Sequence, residues 1–130
     1  MKESVAGIVY HNNRFLVGLR LPGGEMGSRW EFPGGKVDGG ESPAQALIRE
    51  FHEEMGIAVT IHEHIATTEF VNKNGPSLLH AYHVELDQTD AVTLTEHVKT
   101  AWLSFDESQK LPFVDSDTLL FPYIESWMPS

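Results

Sequence analysis

Residues 35–57 read GKVDGGESPAQALIREFHEEMGI, and the interpretation of the whole chain turns on them. A helix is well marked inside this stretch. Ser42 is a candidate N-cap, Pro43 occupies the first helical position, and Gln45 completes a Ser-x-x-Gln capping box. Ala44, Leu47, Ile48, Phe51 and Met55 recur at helical spacing and predict the apolar face. Gly56 stands where a left-handed C-terminal cap belongs. The same helix carries Arg49, Glu50, Glu53 and Glu54. Glu50 precedes Glu53 by three residues and Glu54 by four, so the three carboxylates share one side of the helix. That side is expected opposite the apolar face, open to solvent or to a cleft. Like charges packed at this spacing cost roughly 0.2–0.5 kcal/mol each. A solvated face relieved by an Arg49–Glu53 pair is one account of them. Binding of Mg²⁺, which takes carboxylate oxygens together with substrate phosphates, is the other.

Outward from this helix the chain reads as strands. Val5 to Tyr10 and Arg14 to Leu19 are apolar runs separated by His11-Asn12-Asn13, a hairpin signal. Leu21 to Ser28 is a polar, glycine-rich loop, and Trp30-Glu31-Phe32 a short strand ending at Pro33-Gly34-Gly35. Ile57 to Val71 predicts one or two strands, and Leu78 to Leu86 and Ala101 to Phe105 further ones. A short helix is expected over Asp106 to Lys110 and another over Asp117 to Trp127, with Pro122 arguing against a regular one. Strands flanking a central helix, with a second helix closing the chain, predict an α/β class with a mixed sheet between helical layers.

Composition bounds the function. At 130 residues, one domain spanning 1–130 is expected. A formal net charge of −10 argues against a basic surface for duplex nucleic acid and against a polybasic membrane anchor. No apolar run approaches the roughly 20 residues needed to cross a bilayer. The first residues enter a strand-like stretch with no secretory h-region, so a cytoplasmic protein is expected. The absence of cysteine removes disulfides, thiol catalysis and Cys-ligated zinc.

Residues 35–57 match G-x5-E-x7-R-E-U-x-E-E-x-G-U, with U apolar, at all nine defined positions: Gly35, Glu41, Arg49, Glu50, Phe51, Glu53, Glu54, Gly56 and Ile57. This is the Nudix box, and the chain resembles the Nudix hydrolases. The resemblance implies an α/β/α sandwich in which the box forms a loop-helix-loop. It implies hydrolysis of a nucleoside diphosphate linked to another group, with Mg²⁺ or Mn²⁺. It makes Glu50, Glu53 and Glu54 metal ligands, with the Gly34 or Gly35 carbonyl another. Arg49 becomes the orienting partner, Glu41 a supporting acid, and Glu53 or Glu96 the general base.

The likeness runs beyond the box. Trp30 to Lys36 resembles the run before the box in the MutT-like branch, which cleaves nucleoside triphosphates to monophosphate and pyrophosphate. Arg20 stands eleven residues before Glu31, where that branch carries a phosphate-contacting arginine. Leu79 to Val84 resembles a strand lining the base pocket, and Thr95-Glu96-His97 a loop that contributes a late glutamate. Leu111-Pro112-Phe113 and Ser116-Asp117 resemble the segment that carries a base-reading residue. Arg20, Phe32, Tyr82 and Asp117 are therefore the substrate-binding candidates. For Phe32 and Tyr82 core packing is the alternative, and for Asp117 a helix N-cap. His62, His64, His80 and His83 lack a metal-ligand pattern and read as ordinary histidines.

The reading is a Mg²⁺-dependent pyrophosphohydrolase of nucleoside triphosphates, including oxidised or modified ones. Its partner is a small nucleotide, and it acts as a monomer or homodimer. The alternatives are a Nudix hydrolase of ADP-ribose, a nucleotide sugar or capped RNA, and a non-catalytic nucleotide-binding module of the same fold.

Overall fold

The computed structural model describes residues 2–24, 26–87 and 97–129. In chain order the elements are β1 (Lys2–Ile8), β2 (Tyr10–His11), β3 (Arg14–Arg20), β4 (Trp30–Glu31), β5 (Gly34–Lys36), α1 (Pro43–Met55), β6 (Val59–Asn72), β7 (Gly75–Leu86), β8 (His97–Leu103), α2 (Phe105–Gln109), α3 (Asp115–Thr118) and α4 (Phe121–Trp127).

Two sheets carry the fold. The first has the order β5-β1-β7-β6 and is mixed: β1 runs parallel to β7, while β5 and β6 pair antiparallel to their neighbours. In the second, β3 pairs antiparallel with β2, β4 and β8. Asn12 and Asn13 both have positive φ, 52° and 63°, which suits the two-residue turn of the expected hairpin.

Side chains alternate along β1 and divide the core. Val5 and Val9 join Leu47, Phe51 and Met55 of α1. Ala6 and Ile8 face Phe32, Phe113, Leu120 and Ile124 on the other side. The result is α1 on one face and the C-terminal helices on the other, an α/β/α arrangement with a mixed sheet, as expected. Phe51 is fully buried, which contributes about 2–3 kcal/mol.

Several boundaries differ from the sequence expectation. β6 is one 14-residue strand, with register irregularities between Ile61 and Ala66 that let it bend. β5 was not anticipated, because Gly34-Gly35-Lys36 has no strand propensity and is ordered by pairing with Ser4, Val5 and Ala6. The C-terminal helix is two helices. Pro122 falls in the first turn of α4, where its missing N–H costs nothing. Asp117 lies inside α3, whose N-cap is Val114, so the N-cap reading of Asp117 does not hold.

Candidate active site

Local chemistry fixes the phase of α1. The Gln45 N–H donates to Ser42 Oγ at 3.1 Å, and the Ser42 N–H to Gln45 Oε1 at 2.8 Å, the reciprocal box the sequence predicts. Gly56 closes the helix at φ 65°. With that phase, Leu47, Phe51 and Met55 point into the core. The rest of the predicted face is corrected: Ile48 is exposed, and Ala44 only half-buried.

The carboxylates are also placed differently from the expectation of an open stripe. Glu50 is 8% exposed and Glu54 1%, whereas the Glu53 side chain is 52% exposed. At 100° per residue, positions 50 and 54 border the apolar row 47, 51, 55, and position 53 does not. Two glutamates one turn apart are thus carried under β5. The Gly34 N–H donates to Glu54 Oε2 at 3.2 Å. A Cβ on Gly35 would stand 2.5–2.7 Å from the Glu50 carboxylate, so only glycine lets that carboxylate lie against the strand.

Arg49 ties the box together. Its guanidinium grips Glu41 with two hydrogen bonds, Nε to Oε2 at 2.8 Å and Nη2 to Oε1 at 3.0 Å. Nη1 donates to Glu50 at 2.8 Å and to Glu53 at 3.2 Å, and Nη2 also reaches the Lys36 carbonyl at 2.9 Å. These carboxylates hold the Arg49 proton more firmly than usual, Glu41 foremost. Arg49 in turn keeps Glu41 below the ordinary carboxylate range, aided by the Asp38 N–H at 2.9 Å. The expected Arg49–Glu53 contact exists, but the larger work of Arg49 is to fix Glu41 and Glu50.

A cleft of about 500 Å³ runs over this arrangement. Gly34, Gly35, Glu50 and Glu54 line one end, and Phe32, Arg20, Glu31 and Asp117 the other. The C-terminal segment reaches it by pairing with β4: Trp30 bridges Phe113, the Trp30 N–H donates to Pro112 O at 2.8 Å, and the Val114 N–H to Trp30 O at 2.9 Å. That docking brings Asp117 over the chain 85 residues earlier, where its Oδ2 accepts the Phe32 N–H at 2.8 Å. Burial pushes the Asp117 carboxyl up to about 7; the Phe32 N–H opposes this, the Glu31 charge adds to it, and Arg20 opposes it. Arg20 Nη1 donates to Glu31 Oε1 at 3.1 Å, so the cation sits at the Asp117 end of the cleft.

Other predicted residues sit elsewhere. Phe32 lines the cleft but also packs against Phe15, Phe113 and Phe121, so the packing role and the pocket role coincide. Tyr82 is on the face of β7 opposite Leu79, against the ring of His64, and does not line the cleft. Glu96 lies outside the described residues. The strand that follows it pairs at His97 with Arg20. His62 pairs with Glu85 at 2.8 Å, His80 with Glu3 at 2.6 Å and His83 with Glu63 at 3.2 Å.

Among the described residues no three carboxylate or imidazole side chains converge as a ready metal cluster. The box offers a buried pair, Glu50 and Glu54, with Glu53 turned toward Arg49. This set is all hard oxygen, buried, and cradled where a Cβ is missing, which fits Mg²⁺.

A NUDIX domain matches residues 1–123. The chain belongs to the Nudix family. It is 34% identical over 128 residues to a CTP pyrophosphohydrolase of Escherichia coli, covering 98% of this chain and 92% of that one. It is 51% identical over 57 residues to an 8-oxo-dGTP diphosphatase of Proteus vulgaris, 42% of this chain and 50% of that one. The solution structure of the E. coli ORF135 protein superposes with a TM-score of 0.84 at 30% identity, covering 100% of this chain and 94% of that one. Nudix hydrolases generally need a divalent metal, so the buried Glu50–Glu54 pair is the place in this chain to look for one.

Of three further cleft residues, Phe70 carried no functional reading in the sequence, and Glu31 and Ser116 entered only within the Trp30 to Lys36 and Ser116-Asp117 likenesses. Glu31 lines the cleft beside Arg20. Phe70 is the wall where β6 ends, and its signal was an isolated aromatic in a polar stretch. Ser116 lines the cleft beside Asp117.

Proposed function

We propose that this Nudix protein is a Mg²⁺-dependent pyrophosphohydrolase that converts nucleoside triphosphates, including modified ones, to nucleoside monophosphate and pyrophosphate. Water adds to a phosphorus of the triphosphate as one anhydride bond breaks, and the two phosphate-bearing products leave. The observation that carries the reading is the meeting, in one cleft, of the buried Glu50–Glu54 pair and the Asp117–Phe32 pair. The full-length likeness to a CTP pyrophosphohydrolase supports the same substrate class.

Glu50 and Glu54 would hold Mg²⁺, which supplies neutralisation of the polyphosphate and activation of the attacking water. Glu53, beside Arg49 at 3.2 Å, would be the third carboxylate of the set. Arg49 and Glu41 keep the helix and the 38–41 loop in register with β5. Asp117 and the Phe32 ring face the base, and Arg20 offers a fork to the nucleotide. The general base is Glu53 or Glu96. We take residues 1–130 as one domain that works on free nucleotides in the cytoplasm, as a monomer or homodimer. Among the described residues no helix is long and apolar enough to cross a membrane.

The test is pyrophosphate release from a panel of canonical and oxidised nucleoside triphosphates, with Mg²⁺ and with excess chelator. Turnover of at least one triphosphate that stops with chelator is expected. Release of products other than monophosphate and pyrophosphate would overturn the assignment.

A further inference from the structure

A second cleft, of about 420 Å³, adjoins the first and shares Ser4, Lys36, Asp38 and Phe70 with it. Beyond that shared wall it is lined by Lys2, Asn72, Asn74 and Ser77. Its charges are not equally committed. Glu41 and Asp38 are held by Arg49 at 2.8 Å and 3.4 Å, and Glu3 by His80 at 2.6 Å. Among the described residues neither Lys2 nor Lys36 makes an ion pair. Each of these carboxylates thus has a partner, although one guanidinium serves both Asp38 and Glu41, and the two ammonium groups are the cations in this cleft placed to meet an anion.

Register gives the direction. β5 runs antiparallel to β1, with Gly34 opposite Ala6, Gly35 opposite Val5 and Lys36 opposite Ser4, and the Val37 N–H donates to Glu3 O. Moving along β5 therefore leads from Phe32 and Asp117, past Glu50 and Glu54, to Lys36 and then to Lys2. From Gly34 to Lys36 is two strand steps, roughly 7 Å. A nucleotide with its base at Asp117 and its reacting phosphorus at the glutamates sends its outer phosphates into this second cleft.

We infer that Lys2 and Lys36 bind the terminal diphosphate of the substrate and, after cleavage, the released pyrophosphate. This deepens the proposed function and rests on it for the direction of the substrate. The pair makes the enzyme a reader of polyphosphate length, favouring triphosphates over diphosphates, and makes pyrophosphate a product inhibitor that leaves from this side. Lysine suits the task because its ammonium is a mobile point charge that follows an anion as it departs.

Two measurements test it. The first is calorimetric titration of inorganic pyrophosphate with Mg²⁺ into the full chain. Lys2→Glu and Lys36→Gln are each expected to weaken binding about fivefold. Lys110→Glu, a charge-matched change at the end of α2, is expected to leave it as in the wild type. Equal affinity in wild type and Lys2→Glu would overturn the inference. The second is the ratio of kcat/KM for a nucleoside triphosphate over its diphosphate. It should fall about fivefold in Lys2→Glu and recover in Lys2→Arg. An unchanged ratio would equally overturn it. If the wild type cleaves no nucleotide, the proposed function fails, while the titration still decides whether this cleft binds pyrophosphate.

Discussion

Gly35 and Glu50 are packed so closely that a single methyl group on the glycine would meet the glutamate carboxylate at 2.5–2.7 Å. Nothing else at Gly35 demands glycine: its φ lies outside the left-handed range, and it pairs with Val5 as an ordinary strand residue. Gly35→Ala should therefore leave the fold almost untouched, because the far end of Glu50 can swing aside. It should still lower kcat/KM by roughly 10–100-fold, the usual cost of disturbing a metal ligand's surroundings. Thermal unfolding and steady-state kinetics on the same sample check both halves.

Arg49→Lys keeps the charge and loses the fork. The two hydrogen bonds to Glu41 and the reach to Lys36 O and Glu50 cannot all be made by one ammonium. Turnover is expected to fall roughly 10–100-fold, with a higher Mg²⁺ concentration needed for half-maximal rate. Retention of the wild-type Mg²⁺ requirement would show that Arg49 does not position Glu50.

Asp117 makes stability depend on pH in an unusual sense. Its folded-state carboxyl is pushed up to about 7 by burial, from 3.8. Below about pH 4 both folded and unfolded chains hold the proton. Between about 4 and 7 the folded chain keeps it while the unfolded chain releases it, so the stability this site confers falls as pH rises and levels off above about 7. The change is of the order of 4 kcal/mol. Asp117→Asn, which keeps an oxygen for the Phe32 N–H, should remove this slope. Urea unfolding of both proteins at pH 5, 6, 7 and 8 measures it. Parallel curves would place the titration elsewhere.

These residues differ in how far sequence alone could place them. The capped helix was legible because Ser42, Pro43, Gln45 and Gly56 act within a few residues of one another. The Glu50–Glu53–Glu54 spacing was legible too, but its burial was not. Exposure depends on β5, a strand whose order comes from pairing with β1 rather than from its own residues. Phe32 and Asp117 were each singled out, but not as partners, since their hydrogen bond spans 85 residues and requires the Trp30–Phe113 bridge. Tyr82 takes the packing role that the sequence left open, because Leu79 and Tyr82, three residues apart on one strand, face opposite sides of the sheet.

Charge around the box gives a further prediction. Residues 35–57 hold Asp38, Glu41, Glu50, Glu53 and Glu54 against Lys36 and Arg49, a balance of −3. A triphosphate is repelled by such a site until a divalent ion is present. Nucleotide affinity, read by calorimetry with a non-hydrolysable triphosphate, should fall at least about tenfold when chelator replaces Mg²⁺.

The central claim is that the buried glutamate pair under β5 is the hydrolytic centre. Its most direct test is the rate of pyrophosphate release, at saturating Mg²⁺, from the nucleoside triphosphate that the wild type turns over fastest, by wild type, Glu50→Gln and Glu54→Gln, each first shown to be folded by circular dichroism. The account predicts a loss of at least about 100-fold in each folded variant. Turnover equal to the wild type in either one would contradict it.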